Sequence, residues 1–239
     1  CGDEVLPQRV GNAGEVDELY YTLAPHSRTT IWMNLEPGLD CGEFCVKMES
    51  DLPVVAERAV YFGYKGARGG TVAEGASATG LTWYFAEGYT AGDFDTWVLL
   101  ANPDEKEAEV TLEFMLPDAT TRKIDIVVPG RSRGTVHVDD LPGLEQTEFS
   151  LRVQSDTPIV AERAMYFIYE GRGGGHDALG VSQTSRRWYF AEGYTAAYFD
   201  TYILLQNPGP DQAAVTLTFM RDDGEEVTKR AVIEPHARY

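Results

Sequence analysis

The octapeptide Trp83-Tyr84-Phe85-Ala86-Glu87-Gly88-Tyr89-Thr90 returns unchanged as Trp188-Tyr189-Phe190-Ala191-Glu192-Gly193-Tyr194-Thr195. The offset, 188 minus 83, is 105 residues, and most of the 239-residue chain obeys it. A period of that length can bury a core of its own, whereas helical and blade-type solenoid repeats are much shorter. The repeat therefore predicts small domains in tandem rather than a continuous solenoid.

Within one period the hydrophobic pattern is that of strands. Phe44, Val46 and Met48 alternate with polar residues, as do Phe149, Leu151 and Val153. Val110, Leu112 and Phe114 do the same, and Val215, Leu217 and Phe219 copy them. Alternation of period two marks a strand with one buried face. Residues 19–24, 124–128 and 230–234 read as short strands closed by Pro25, Pro129 and Pro235. Residues 28–33 and their copy 133–138 read as another pair. Residues 94–100 and 199–205 are apolar on both faces and end in the turn signals Asn102-Pro103 and Asn207-Pro208. Ser50-Asp51-Leu52-Pro53 and Ser155-Asp156-Thr157-Pro158 read as turns leading into the longest strands, 54–64 and 159–169. The glycine-rich segments 66–82 and 171–187 read as linkers. No stretch carries apolar residues at the i, i+3, i+4, i+7 spacing of a helix. About seven short strands per period is the count of an immunoglobulin-like or fibronectin-like β-sandwich. The expected fold class is thus all-β, with tandem sandwich repeats.

Two phasings are open. If a unit opens on the octapeptide, residues 83–187 form one complete unit, 1–82 are the C-terminal half of a preceding one and 188–239 the N-terminal half of a following one. If units open near residue 16, they run 16–117 and 118–223, with a surplus terminal strand at 226–239. Glycine-rich linkers favour the first.

The formal net charge of −18 excludes nucleic acid as a natural partner, since phosphate binding needs clustered Lys and Arg. It suits a soluble, self-repelling surface. No run of about 18 apolar residues is present, so no membrane span is expected. Residues 1–15 read as a polar tail. Cys1-Gly2-Asp3 is compatible with the lipid-modified start of a lipoprotein and equally with a fragment boundary. Cys45 falls on the polar side of its strand and Cys41 in the loop before it, so a local Cys41–Cys45 disulfide is expected outside the cell.

The octapeptide, followed by Phe-Asp-Thr, Asn-Pro, Pro-x-x-Arg, Ser-Asp-x-Pro-Ile-Val-Ala-Glu-Arg and Gly-Gly-His-Asp, resembles tandem modules of secreted surface proteins of actinobacteria and related bacteria. The resemblance covers residues 16–239. It implies an extracellular or cell-surface location and an accessory, wall-exposed role. The first copy departs at Gly69-Gly70-Thr71-Val72, where the second has Gly174-Gly175-His176-Asp177.

Candidate chemistry is sparse. Glu57-Arg58 and Glu162-Arg163 sit mid-strand, where adjacent residues point to opposite faces, so one of each pair should turn inward and need a partner. Glu87 and Glu192 are the expected mates of Arg163 and Arg58 as structural ion pairs. Paired carboxylates doing hydrolytic acid–base work are the alternative, although a catalytic set repeated in every unit would be odd. Asp95 and Asp200 read as turn-capping carboxylates, with Ca2+ bound through Asp93 and Asp95 at the unit junction as the sharper reading. His176-Asp177 reads as solvated. Trp97 and Tyr202 could stack on sugars, although aromatics at strand spacing are more often core. No catalytic or cofactor motif is present. The expected function is a non-enzymatic spacer, adhesive stalk or fibre subunit without a cofactor. It would associate head to tail through strand or half-unit complementation, because half a sandwich leaves strand edges unpaired. A cell-wall polysaccharide-binding module is the alternative.

Overall fold

The computed structural model describes residues 18–239 together with the backbone of Gln8–Val10. The expectation for Cys1 lies outside the described residues. In chain order the strands are β1 (Gln8–Val10), β2 (Glu57–Tyr64), β3 (Ala67–Glu74), β4 (Gly80–Phe85), β5 (Phe94–Asn102), β6 (Ala108–Met115) and β7 (Thr121–Val128). They continue as β8 (Ser132–His137), β9 (Ser150–Tyr169), β10 (Arg172–Leu179), β11 (Gln206–Asn207), β12 (Ala213–Met220), β13 (Glu226–Ile233) and β14 (Ala237–Arg238). Two single-turn 3-10 helices, Met33–Leu35 and Val138–Asp140, complete the set, and no α-helix occurs among the described residues. The fold is all-β. Gln8–Val10 pairs with β8 rather than belonging to a featureless tail.

Among the described residues there is one hydrophobic core, built from buried residues between 83 and 161. It gathers the inward faces of β4 to β9: Trp83, Phe85, Val98, Leu100, Leu112, Phe114, Val128, Val136, Phe149 and Leu151 are all buried. A boundary at 117/118 would cut between β6 and β7, which form a continuous antiparallel hairpin. The organising strand is β9. Its first half pairs with β4 on one side and β6 on the other. Its second half pairs with β5 and β10. Two hydrogen-bonded layers, β7-β6-β9-β4 and β8-β5-β9-β10, thus share one strand and close on the same core.

The expected turn at Ser155-Asp156-Thr157-Pro158 is not there, because β9 runs unbroken through it. The reason is local. Residues 156–158 have no ladder partner, being the point where β9 passes from one layer to the other. A proline, which cannot donate a ladder hydrogen bond, is tolerated at such a point. Asp156 uses its free side chain to accept the Glu109 N–H at 2.8 Å. The octapeptide clamps this crossing. The Trp83 indole N–H donates to the Ile159 carbonyl at 3.0 Å. The Gly88 carbonyl accepts the Phe149 N–H at 2.8 Å. A Cβ on Gly88 would run into the Phe149 ring.

Asn102 and Asn207 show what the Asn-Pro signal encodes. The buried Asn102 amide reaches the carbonyls of Lys106, Val128 and Pro129 at 2.7, 3.0 and 3.1 Å, tying the β5–β6 turn to the end of β7. Asn207 repeats the arrangement on Asp211, Ile233 and Glu234.

The glycine-rich segments are strands, not linkers: β3 and β10 each close a hairpin, with β2 and β9. Conversely, residues 19–24, 28–33 and 44–48 form no strand, and neither do 188–205, although their copies in the central region are strands or strand flanks. The sequence pattern is the same, but the partner strands are missing, and an amphipathic strand gains its stability from the surface it covers. Exposure follows suit: Trp83 and Phe85 are each 4% exposed, whereas Trp188 and Phe190 are 53% and 67% exposed.

Phe85→Ala is therefore expected to cost about 3–5 kcal/mol, and the same change at its copy, Phe190→Ala, to stay within about 0.5 kcal/mol. Urea denaturation of the monomeric protein followed by tryptophan fluorescence measures both.

Candidate functional site

The chemically dense region lies where the β2–β3 hairpin is seated on the β9–β10 hairpin. These hairpins are copies of one another, offset by one period. The glycines make the contact possible. A Cβ on Gly173 would come within 2.8 Å of the Ala67 Cα, and one on Gly175 within 2.7 Å of the Phe62 ring. The Phe62 ring meets Tyr166 edge-on at 4.8 Å, and Tyr64 lies 5.2 Å from the same ring.

Ion pairs line this seam. Arg58 Nη1 donates to Glu162 Oε2 at 2.7 Å and its Nη2 to Asp177 Oδ2 at 2.8 Å. Burial draws the Arg58 pKa down, but hydrogen bonding and charge from Glu162 and Asp177 outweigh it and leave the pKa raised. The Asp177 N–H donates to the Thr71 hydroxyl at 3.0 Å, so Thr71, where the first copy departs from the second, has a role of its own. Arg163, 4% exposed, points the other way, into the central unit. Its Nη2 lies 2.8 Å from Glu87 Oε2, and Nη1 donates to the Glu87 carbonyl at 2.5 Å. His176 adjoins the pair, its Nδ1 3.4 Å from Arg163 Nη2. It is half-buried on β10 rather than solvated in a loop, and burial, then the Arg163 charge, lower its pKa.

The structure thus brings Glu87 to Arg163. Arg58 meets Glu162 instead of Glu192, which is exposed, as is Glu57. The reason is that Arg58 projects out of its own unit onto the next. Cys45 is a free, exposed thiol, so the expected Cys41–Cys45 bridge does not form. No strand holds residues 41–45, and the Cys45 Sγ faces β8 instead, 3.8 Å from the Ser132 carbonyl oxygen.

At the tip of the β2–β3 hairpin lies a cluster that residue patterning did not single out. Asp95, expected to cap a turn, is buried within β5. Its Oδ1 lies 2.5 Å from His137 Nε2 and accepts from Lys65 Nζ at 3.1 Å. His137 Nδ1 meets Asp140 Oδ2 at 2.7 Å. Asp139 Oδ2 lies 3.6 Å from His137 Nε2 and accepts the Thr96 N–H at 2.8 Å. Trp97 stacks on the His137 ring, with centroids 4.1 Å apart and planes 16° from parallel, and its indole N–H donates to Asp95 Oδ2 at 3.3 Å. One face of Trp97 is therefore taken by His137. Tyr202 is exposed, its hydroxyl 3.1 Å from that of Tyr169. Asp93 engages through its carbonyl, which accepts the Ile168 N–H at 3.1 Å.

The electrostatics follow from burial and pairing. Burial would raise Asp95, but His137, Tyr64 and Lys65 hold it well below the usual carboxylate range. Burial would lower His137, but Asp95 and Asp140 outweigh that and raise it. Asp139 is pushed up to about 6 by burial and by the neighbouring Asp95 charge, against the pull of the Thr96 N–H. The Tyr64 hydroxyl is buried and makes no hydrogen bond of ordinary geometry. It still lies close enough to Asp95 that burial and then this carboxylate raise its pKa. Ligand atoms of Asp95, His137 and Asp139 lie within 4.8 Å of one another, the one such metal-competent group among the described residues. The signal that could have revealed it is asymmetry between copies. His137, Asp139 and Asp140 stand where the first copy has Trp32, Asn34 and Leu35.

A raised carboxyl pKa in the folded state means that folding takes up a proton. The associated stability is present at low pH and lost as pH rises through about 6. In chelator-treated protein, Asp139→Asn is therefore expected to compare more favourably with wild type at pH 8 than at pH 5. Thermal melts of both proteins at the two pH values check this.

Among solved structures, a Thermotoga maritima protein is 14% identical with a TM-score of 0.42, the match covering 44% of this chain and 96% of that one. The Anabaena sensory rhodopsin transducer is 26% identical with a TM-score of 0.34, over 37% and 91% of the two chains. None of the curated proteins matches. A family profile described as "Family of unknown function (DUF5719)" matches residues 54–237. The chain belongs to that family.

Proposed function

We propose that the chain is a non-catalytic structural segment of a secreted bacterial surface protein. On this reading it is a stalk of tandem immunoglobulin-like or fibronectin-like β-sandwich units, each locked to the next by its terminal hairpin. The observation that carries this reading is the seated β2–β3 hairpin with Arg58 spanning Glu162 and Asp177. The joint has a counterpart one period on. Tyr64 and Asp95 have as copies Tyr169 and Asp200, and the Tyr169 hydroxyl donates to Asp200 Oδ2 at 3.4 Å. Arg172 adds a hydrogen bond to the Tyr198 carbonyl at 2.9 Å. A contact that recurs with the repeat suits a device for stacking units at a fixed angle, and a net charge of −18 keeps such a stalk solvated.

Phe44, Val46, Met48, Trp188 and Phe190 are exposed, and their copies Phe149, Leu151, Val153, Trp83 and Phe85 are buried in the central unit. Residues 30–82 and 188–239 together span one 105-residue period. We take the occupant of these faces to be the complementary half-unit of a second copy, docked head to tail.

Arg58→Ala is expected to raise amide hydrogen exchange across 57–74 by about tenfold or more while exchange in β5 and β6 stays unchanged; equal protection in variant and wild type would count against the locked joint. Light scattering on wild type is expected to show mass rising with concentration. A strictly monomeric chain with residues 188–205 protected from exchange would remove the head-to-tail association.

A further inference from the structure

We propose that Asp95, His137 and Asp139 form a binding site for a divalent transition-metal ion of the Zn2+ type, placed at the joint between two units. Three donors converge there: a carboxylate oxygen of Asp95, Nε2 of His137 and a carboxylate oxygen of Asp139. Asp95 and His137 are 6% and 4% exposed. The separation of 3.6 Å between His137 Nε2 and Asp139 Oδ2 is close to the roughly 3.3 Å edge of a tetrahedron with bonds of about 2.0–2.1 Å. The 2.5 Å contact between His137 Nε2 and Asp95 Oδ1 has to open by under about 1 Å to admit the ion.

The groups that would orient the donors are in place. A metal-bound imidazole ordinarily donates its other N–H to a carboxylate, which fixes the ring and its free nitrogen. His137 does this through Nδ1 and Asp140. Trp97 holds the ring flat from one side, and the Thr96 N–H holds the Asp139 carboxylate. Asp95 and His137 stand on paired strands, β5 and β8, and Asp139 on the 3-10 turn that follows β8 directly. The positions are therefore set by the core beneath them.

Charge and asymmetry point the same way. Three carboxylates, those of Asp95, Asp139 and Asp140, face His137 and Lys65. Lys65 is a counter-ion whose side chain is 58% exposed, so that displacing it from Asp95 leaves its charge in water. The Tyr64 hydroxyl, buried beside Asp95, comes from the preceding unit and is placed to bond the liganded carboxylate. The first copy holds Trp32, Asn34 and Leu35 at the positions of His137, Asp139 and Asp140, so the repeat pattern itself does not call for these three residues. The donor set selects the metal. Ca2+ takes six to eight oxygen ligands, whereas one imidazole with two carboxylates suits Zn2+ and its neighbours.

The test uses the full chain after chelator treatment, titrated with Zn2+ by calorimetry and with Co2+ by visible absorption. One ion per chain is expected, with Co2+ bands of tetrahedral intensity and no sulfur charge-transfer band. His137→Gln and Asp139→Asn should each weaken Zn2+ binding by about 100-fold or more, and Asp140→Asn by about 10–100-fold. Lys65→Met should bind at least as tightly as wild type. The wild-type Co2+ spectrum needs no variant and stands even if a substitution impairs folding. The proposal is overturned by absence of saturable Zn2+ binding to folded wild type, by a sulfur band placing the ion on Cys45, by weak octahedral bands alone, or by a folded His137→Gln or Asp139→Asn variant that binds as wild type does.

Discussion

Everything in the central unit depends on one strand serving two layers. β9 can do so only because residues 156–158 release it from all ladder partners while its backbone stays extended. A released stretch inside a protein leaves carbonyls and N–H groups that must find other partners. The Thr157 N–H finds the Ser155 hydroxyl at 3.3 Å, and contacts on either side brace the crossing: Trp83 at the Ile159 carbonyl, Gly88 at the Phe149 N–H, Asp156 at the Glu109 N–H. Glu87 adds the mate for Arg163 two turns of the pleat farther on. In the central region the motif therefore has a structural role. A Phe149 ring pressed on Gly88 leaves no space for a side chain there.

Much of this was legible in the sequence. Period-two alternation located β6 and the start of β9, the proline-closed pattern located β7, the match of 133–138 to 28–33 located β8, and the repeat offset located β12 and β13 as copies of β6 and β7. The Glu87–Arg163 contact followed from asking which mid-strand charge must turn inward. What pattern reading missed has physical causes. Pro158 looked like a turn because a proline usually ends a strand, and the crossing is one of the few interior places where it need not. The glycines of β3 and β10 looked like linkers because glycine is ordinarily a breaker. Here they are needed so that two hairpins can approach backbone to backbone. Residues 19–48 carry strand patterns and form no strand, since pattern expresses capacity and pairing requires a partner surface.

The cluster around His137 was the hardest to read. Its members come from residues 64 and 65 of one hairpin, 95 to 97 of β5 and 137 to 140 at the end of β8, and nothing in local spacing joins them. Asp95 alone looks like a turn residue, and His137 alone like a polar residue on a strand. Only the antiparallel register, which sets Trp97 opposite His137, reveals that the imidazole is pinned under an indole and between carboxylates. The joint between units and the cation-seeking cluster are in this sense one object. Both arise where the tip of a copied hairpin meets the start of the next covered strand.

The length of β9 has a mechanical meaning. Near its end, Glu162 and Tyr166 touch the hairpin of the preceding unit. Near its beginning, the Leu151 carbonyl accepts from Gln206 of the following segment at 3.2 Å. In the proposed stalk, a pull applied along the array would enter and leave the unit on a single covalent strand. The ladders on either side of that strand would then be loaded along their length, so that many hydrogen bonds would have to yield together, rather than being unzipped one rung at a time.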